Sequence, residues 1–152
     1  MSELDELYQS VILDHNRSPR NFRALTASSG HAEGRNPLCG DSFEVWVDVK
    51  DGVVADVSFL GQGCAISKAS ASVMTTTIKG KSVTEAKALF ERFHGLVTGS
   101  SAAPPVEGSS GRAPLGSLGA FAGVAAFPIR VKCATLAWHT MLKAIDETGS
   151  QR

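Results

Sequence analysis

Residues 42–60, SFEVWVDVKDGVVADVSFL, alternate apolar and polar side chains on both sides of a Lys-Asp-Gly turn. Phe43, Val45, Val47 and Val49 share one face of the first half, with Glu44 and Asp48 on the other. In the second half Val53, Ala55, Val57 and Phe59 share a face. A period of two, broken by Asp-Gly, predicts a β-hairpin with one buried face. Its register depends on the loop. A two-residue Asp51-Gly52 loop pairs odd positions with even ones and sends the apolar rows to opposite faces. A three-residue Lys50-Asp51-Gly52 loop pairs Val49 with Val53, keeps both rows on one face and puts Gly52 in the left-handed position. The three-residue loop is therefore expected. It leaves Trp46 on the outer face, where nothing in the sequence accounts for it.

Helical patterns flank the hairpin. Over residues 2–16, Leu4, Leu7, Tyr8, Val11, Ile12 and His15 recur at steps of three and four. Ser2 with Asp5 opens this helix and Pro19 blocks its continuation. Residues 21–37 are mixed and turn-rich. Residues 61–80, GQGCAISKASASVMTTTIKG, read as a glycine turn entering a helix whose apolar face is Ile66, Ala69, Val73, Met74 and Ile78. Ser82 and Glu85 form a capping-box pattern, and the helix behind them buries Ala86, Leu89, Phe90, Phe93 and Val97. Residues 98–113 are rich in Gly, Ser, Ala and Pro and read as a loop, a flexible insertion at about 98–114 within the domain. A short helical piece is expected over 115–126, ended by Pro128. A last helix over 130–148 carries Val131, Ala134, Trp138, Met141, Leu142 and Ile145 on one stripe. The expected fold is α+β: a small antiparallel β-sheet with helices packed on one face, in one domain spanning 1–152.

A chain of 152 residues suits one domain with a hydrophobic core. Its formal net charge of zero removes any whole-chain attraction to nucleic acid or an anionic membrane. No run is long enough to span a bilayer. The first residues are acidic and amphipathic, unlike a secretory signal. Three widely spaced cysteines, an odd number, point to thiols in a reducing cytoplasm and not to a disulfide framework.

Those cysteines carry the chemistry. Cys39 and Asp41 flank Gly40 just before the hairpin, and residues two apart in extended chain point the same way. Cys64 follows Gly-Gln-Gly at a predicted helix start, and Cys133 is expected in the first turn of the last helix. Helix N-termini favour negative charge, so both are candidate thiolates. Three thiolates and one carboxylate complete a tetrahedral set for zinc, or ligands for iron with sulfide. The competing reading packs each cysteine in the core as a small apolar side chain and makes Asp41 a turn residue.

Four blocks extend the argument: LYQSVILDHNRSPRN (7–21), NPLCGD (36–41), GQGCAISKASASVM (61–74) and FPIRVKCATLAW (127–138). Together, in this order, they resemble the iron–sulfur cluster assembly scaffold family, IscU-like, and most closely its SufU branch. Lys132 stands where IscU-type scaffolds carry a histidine, and the Gly/Ser/Pro-rich segment resembles an insertion of that branch. The resemblance implies zinc held by Cys39, Asp41, Cys64 and Cys133. It implies a sulfurtransferase that accepts persulfide sulfur on Cys39 from a SufS-like cysteine desulfurase, with downstream iron–sulfur assembly proteins as further partners. In the implied mechanism a desulfurase histidine replaces Cys39 on zinc, and the freed thiolate attacks the persulfide. Arg130 and Lys132 read either as support for a thiolate or docking partner, or as solvated surface cations.

Three rivals stand beside this reading. One is a scaffold that builds a [2Fe–2S] cluster on the same ligands. Another is a structural zinc domain. The third is a papain-like cysteine hydrolase using His15, His31, His94 or His139. No nucleophile motif supports the hydrolase, and His139 lies about 120° around the helix from Cys133.

Overall fold

The hairpin forms, and a third strand joins it. The computed structural model describes residues 3–25, 28–36, 40–98, 121, 124 and 128–150. In chain order the elements are α1 (Glu3–Arg17), β1 (Gly30–Asn36), β2 (Asp41–Lys50), β3 (Val53–Gln62), α2 (Ala65–Ile78), α3 (Val83–Thr98) and α4 (Pro128–Ser150). The sheet is antiparallel in the order β1-β2-β3. The stretch read as turn-rich thus contains an edge strand. Its sequence, GHAEGRN, offers no apolar row for periodicity to detect. Pairing with β2, from Gly30 opposite Val47 to Asn36 opposite Asp41, makes it a strand.

The hairpin register corrects the expected loop. Lys50 pairs with Val53 across a two-residue turn, with Asp51 at φ 53° and Gly52 at φ 77°. Both angles are left-handed, as the twist of a two-residue hairpin demands. Val49 then pairs with Val54 but Asp48 with Asp56, so Ala55 is an extra residue in β3. This bulge restores odd-with-odd pairing, Val47 with Val57 and Val45 with Phe59. The apolar rows share a face as anticipated, though by a different route. Near the tip it is Val54 that is buried, while Val53 and Ala55 are exposed. Trp46 on the outer face also gains an explanation. It lies opposite His31 and stacks on that ring, with centroids 5.1 Å apart and planes at 21°.

The inner face meets the helices. Phe43, Val45, Val47, Val57 and Phe59 are buried in one cluster with Met74, Phe93, Trp138 and Met141. Helix α4 lies across β1 and β2, and α2 rests on β3 and α4. Farther out, α1 packs on α2 and α3 on α4. The capping box opens α3 as expected: Ser82 N–H donates to Glu85 Oε1 at 3.1 Å and Glu85 N–H to Ser82 Oγ at 3.0 Å. Among the described residues no helix is long and apolar enough to cross a membrane. The expected insertion and the helical piece over 115–126 lie outside the described residues, except Thr98, Phe121 and Val124. Phe121 packs edge-on against Phe93 at 5.7 Å. Pro128 opens α4, a position where its fixed φ and missing N–H cost nothing.

A polar clamp fixes α1 to α2. His15 Nδ1 lies 2.7 Å from Ser72 Oγ, which also accepts the Arg20 N–H at 2.8 Å. Burial, then the Arg20 charge, hold the His15 pKa below its ordinary 6.5. The unfolded chain therefore binds more protons at this group, and stability is lost as pH falls from 6.5 through the folded value. The urea midpoint is expected to drop between pH 7.5 and 5, and His15→Gln to flatten that slope. Burial, then His94, shift His139 the same way, so part of the slope remains. An unchanged slope in His15→Gln would remove His15 from the account.

Candidate metal centre

Asp41 is the first residue of β2, and pairing with Asn36 turns its side chain into the fold, where it is 2% exposed. The Gly40 N–H donates to Asn36 O at 2.8 Å, closing the connection between β1 and β2. Asp41 Oδ1 accepts the Cys64 N–H at 3.1 Å. Its other oxygen, Oδ2, is buried and finds no hydrogen-bond partner among the described residues. A buried carboxylate oxygen without a donor is costly, so a cation is the natural occupant of the space beside it.

Cys64 is the N-cap of α2, with extended backbone at φ −70° and ψ 171°. Its Sγ accepts the Ser67 N–H at 3.5 Å, and Ser67 Oγ donates to Cys64 O at 3.0 Å. Burial pushes the Cys64 thiol pKa up. Hydrogen bonds from the Ser67 backbone and side chain and from Cys133 outweigh burial, and the net shift is downward. Cys133 is 1% exposed. Because α4 begins at Pro128, Cys133 sits in the second turn, not the first, and the helix-start argument for its thiolate character does not hold. What holds it in the site is the packing of α4 across β1, β2 and α2.

Asp41, Cys64 and Cys133 each offer a ligand atom, and the three atoms lie within 4.8 Å of one another. Three distant segments are thereby brought together, as the metal reading required and the core-filler reading did not. The donor set, two sulfurs and a carboxylate oxygen, suits zinc with one coordination position left. Cys39, expected as the fourth ligand and the sulfur acceptor, lies outside the described residues. Arg130 and Lys132 are both exposed. None of the histidines joins the sulfur site: His15 is held by Ser72, His31 by Glu44 and Trp46, and His94 and His139 pack around Phe90. Among the described residues, then, no histidine joins Cys64 and Cys133 as a base for the hydrolase reading.

Two residues of the site escaped the sequence reading. Ser67 fixes Cys64 from one turn on, and its position three residues beyond a helix cap was the available signal. Gly63 gives the room: a Cβ there would stand 2.6 Å from Asp41 Oδ1 and closer still to Ser67 Oγ. Gly63→Ala is expected to push Asp41 out of place and weaken metal binding at least about tenfold, the scale seen when a ligand loses its support. Competition with a chromophoric chelator measures the affinity and far-ultraviolet circular dichroism checks the fold. Wild-type affinity would show that the site tolerates the methyl.

Comparison with known proteins bears on the same region. The zinc-dependent sulfurtransferase SufU of Bacillus subtilis is 37% identical over 151 residues, covering 98% of this chain and 97% of the relative. The iron–sulfur cluster assembly scaffold protein IscU of Streptococcus pyogenes is 37% identical over 150 residues, 99% of this chain and 89% of the relative. The crystal structure of a candidate iron–sulfur cluster assembly scaffold for the SUF system, from Fervidobacterium islandicum, superposes with a TM-score of 0.79 at 30% identity. It covers 92% of this chain and 97% of its own. Residues 7–134, which include Asp41, Cys64 and Cys133, match the family described as NifU-like N terminal domain. With both its sheet-and-helix frame and its cysteine-bearing blocks accounted for by that match, the chain belongs to the NifU-like N-terminal domain family.

Proposed function

We propose that this chain is a zinc-dependent sulfurtransferase of iron–sulfur cluster assembly. It accepts persulfide sulfur on Cys39 from a SufS-like cysteine desulfurase and passes it to downstream assembly proteins. The observation that carries this reading is the convergence of Asp41, Cys64 and Cys133 within 4.8 Å, with Asp41 Oδ2 left without a donor. The Bacillus subtilis relative, matched along almost its whole length, supports zinc and sulfur transfer.

Asp41, Cys64 and Cys133 would hold the zinc, with Cys39, two residues from Asp41, as the fourth ligand. Bound there, zinc would keep the thiols deprotonated near neutral pH. The chain's own residues divide the remaining work. Ser67 N–H pins the Cys64 sulfur, and Cys133 is buried on α4, so neither is presented to a partner's sulfur. Cys39 is the thiol left for transfer. Its thiolate attacks the outer sulfur of the desulfurase persulfide. A new S–S bond forms on Cys39, the old one breaks, and its electron pair leaves on the desulfurase cysteine. Arg130 and Lys132, both exposed, offer cations to a docking partner. Three widely spaced cysteines, an odd number, support a reducing cytoplasm as the setting of the reaction.

The Streptococcus pyogenes relative, at the same identity, supports the alternative of a [2Fe–2S] scaffold on the same four residues. Metal and acid-labile sulfide analysis of anaerobically purified protein separates the two. Zinc at about one per cysteine site, without visible absorption, is expected. Stoichiometric iron and sulfide with visible absorption, and little zinc, would establish the scaffold instead.

A further inference from the structure

We propose a second divalent-metal site on the outer face of the sheet, formed by His31, Glu33 and Glu44. One ligand atom from each lies within 4.8 Å of the others. The site is built by register: His31 stands opposite Trp46 and Glu33 opposite Glu44, so all four side chains share a face across edge strand β1 and its neighbour β2. His31 Nε2 is 2.7 Å from Glu44 Oε2, which turns that nitrogen toward the carboxylates. Trp46 stacks flat on the imidazole and restrains its rotation.

Two glutamates directly opposite across an antiparallel pair repel. Among the described residues, Glu44 meets His31, and Arg35, next along the same face of β1, forms an ion pair with neither glutamate. A divalent ion removes that repulsion. One imidazole nitrogen and two carboxylate oxygens, with water completing the shell, suit a first-row ion such as Zn²⁺, Co²⁺ or Ni²⁺. The site is open to solvent, with His31 and Glu44 side chains 39% and 40% exposed, so the ion exchanges with bulk solution. The ion takes the place of the proton between Nε2 and Oε2.

Zinc-loaded protein titrated with Ni²⁺ tests the proposal through quenching of Trp46, in a Trp138→Phe background that leaves one tryptophan. Calorimetry on the wild-type chain gives the same isotherm without that change. Saturation at one equivalent is expected, with affinity reduced at least about tenfold by His31→Ala and by Glu33→Gln. Co²⁺ should bind without a thiolate-to-cobalt charge-transfer band. An isotherm unmoved by both substitutions overturns the site, as does a charge-transfer band with release of zinc. Neither readout depends on sulfur transfer, and the band separates this site from the cysteines even where those hold a different metal.

Discussion

Desulfurase turnover with the Cys39→Ser protein is expected to stay at the level of the desulfurase alone, while the folded state survives. The reason is an asymmetry between the two cysteines of the observed cluster and the proposed acceptor. Cys64 caps α2 and is tied to Ser67, and Cys133 is enclosed where α4 crosses the sheet. Moving either sulfur toward a partner disturbs a helix. Cys39 belongs to the short connection between β1 and β2, outside both helices. On the proposed mechanism, its replacement by serine removes the attacking sulfur and the fourth zinc ligand. Cys64→Ser and Cys133→Ser act differently. They should lower zinc content and thermal stability first, with sulfur uptake lost as a consequence. Turnover, zinc content and mass spectrometry of the sulfur-loaded protein are read together. Added sulfur on Cys64 or Cys133 with Cys39 unmodified would sink the assignment. Full stimulation by Cys39→Ser would sink sulfur transfer itself.

Stripping the metal with a strong chelator should lower the melting midpoint by roughly 8–16 °C. A ligand that binds only the folded chain stabilises it by about 4 kcal/mol at a thousandfold excess over its dissociation constant. For a chain near 150 residues each kcal/mol moves the midpoint by about 2–4 °C. The structural reason is Asp41. Without a cation its Oδ2 is buried and unsatisfied, close to two sulfurs that also carry negative charge when ionised. Calorimetry with and without one equivalent of zinc checks the shift, and the protein should refold on return of the metal. A change under about 2 °C would mean that the folded chain gains little from the ion, and the site would not be the tight zinc centre proposed.

Much of this molecule is written in local pattern. The alternation of β2 and of β3 from Val57 on, the helix α1, the stripes of α2, α3 and α4, and the Ser82–Glu85 cap each depend on residues close in the chain, and the structure bears them out. Local pattern falls short where its signals compete or are silent. At the hairpin tip, turn twist favoured two residues and the buried face favoured three. The chain satisfies both demands with a bulge at Ala55, which no count of apolar positions reveals. Strand β1 has no apolar row, so its state depends on the partner it meets. Pro128, which local pattern presents as a stop, is the first residue of α4.

By itself the sequence determined the donors available to the metal site, the hairpin and helices, and, through its four matching blocks, the family. Tertiary structure decided what those donors can do together. Asp41 and Cys64 come from separate segments and meet because β2 and β3 pair along their full length and deliver the glycine turn to the carboxylate. Cys133 reaches them because α4 lies across the sheet, not because of its place in a helix turn. The outer cluster of His31, Glu33 and Glu44 exists only in the register of β1 on β2. Periodicity reports which face of an element seeks the core, since burial of apolar surface acts residue by residue. Convergence of polar atoms depends instead on how whole elements pack, and that is a property of the assembled fold.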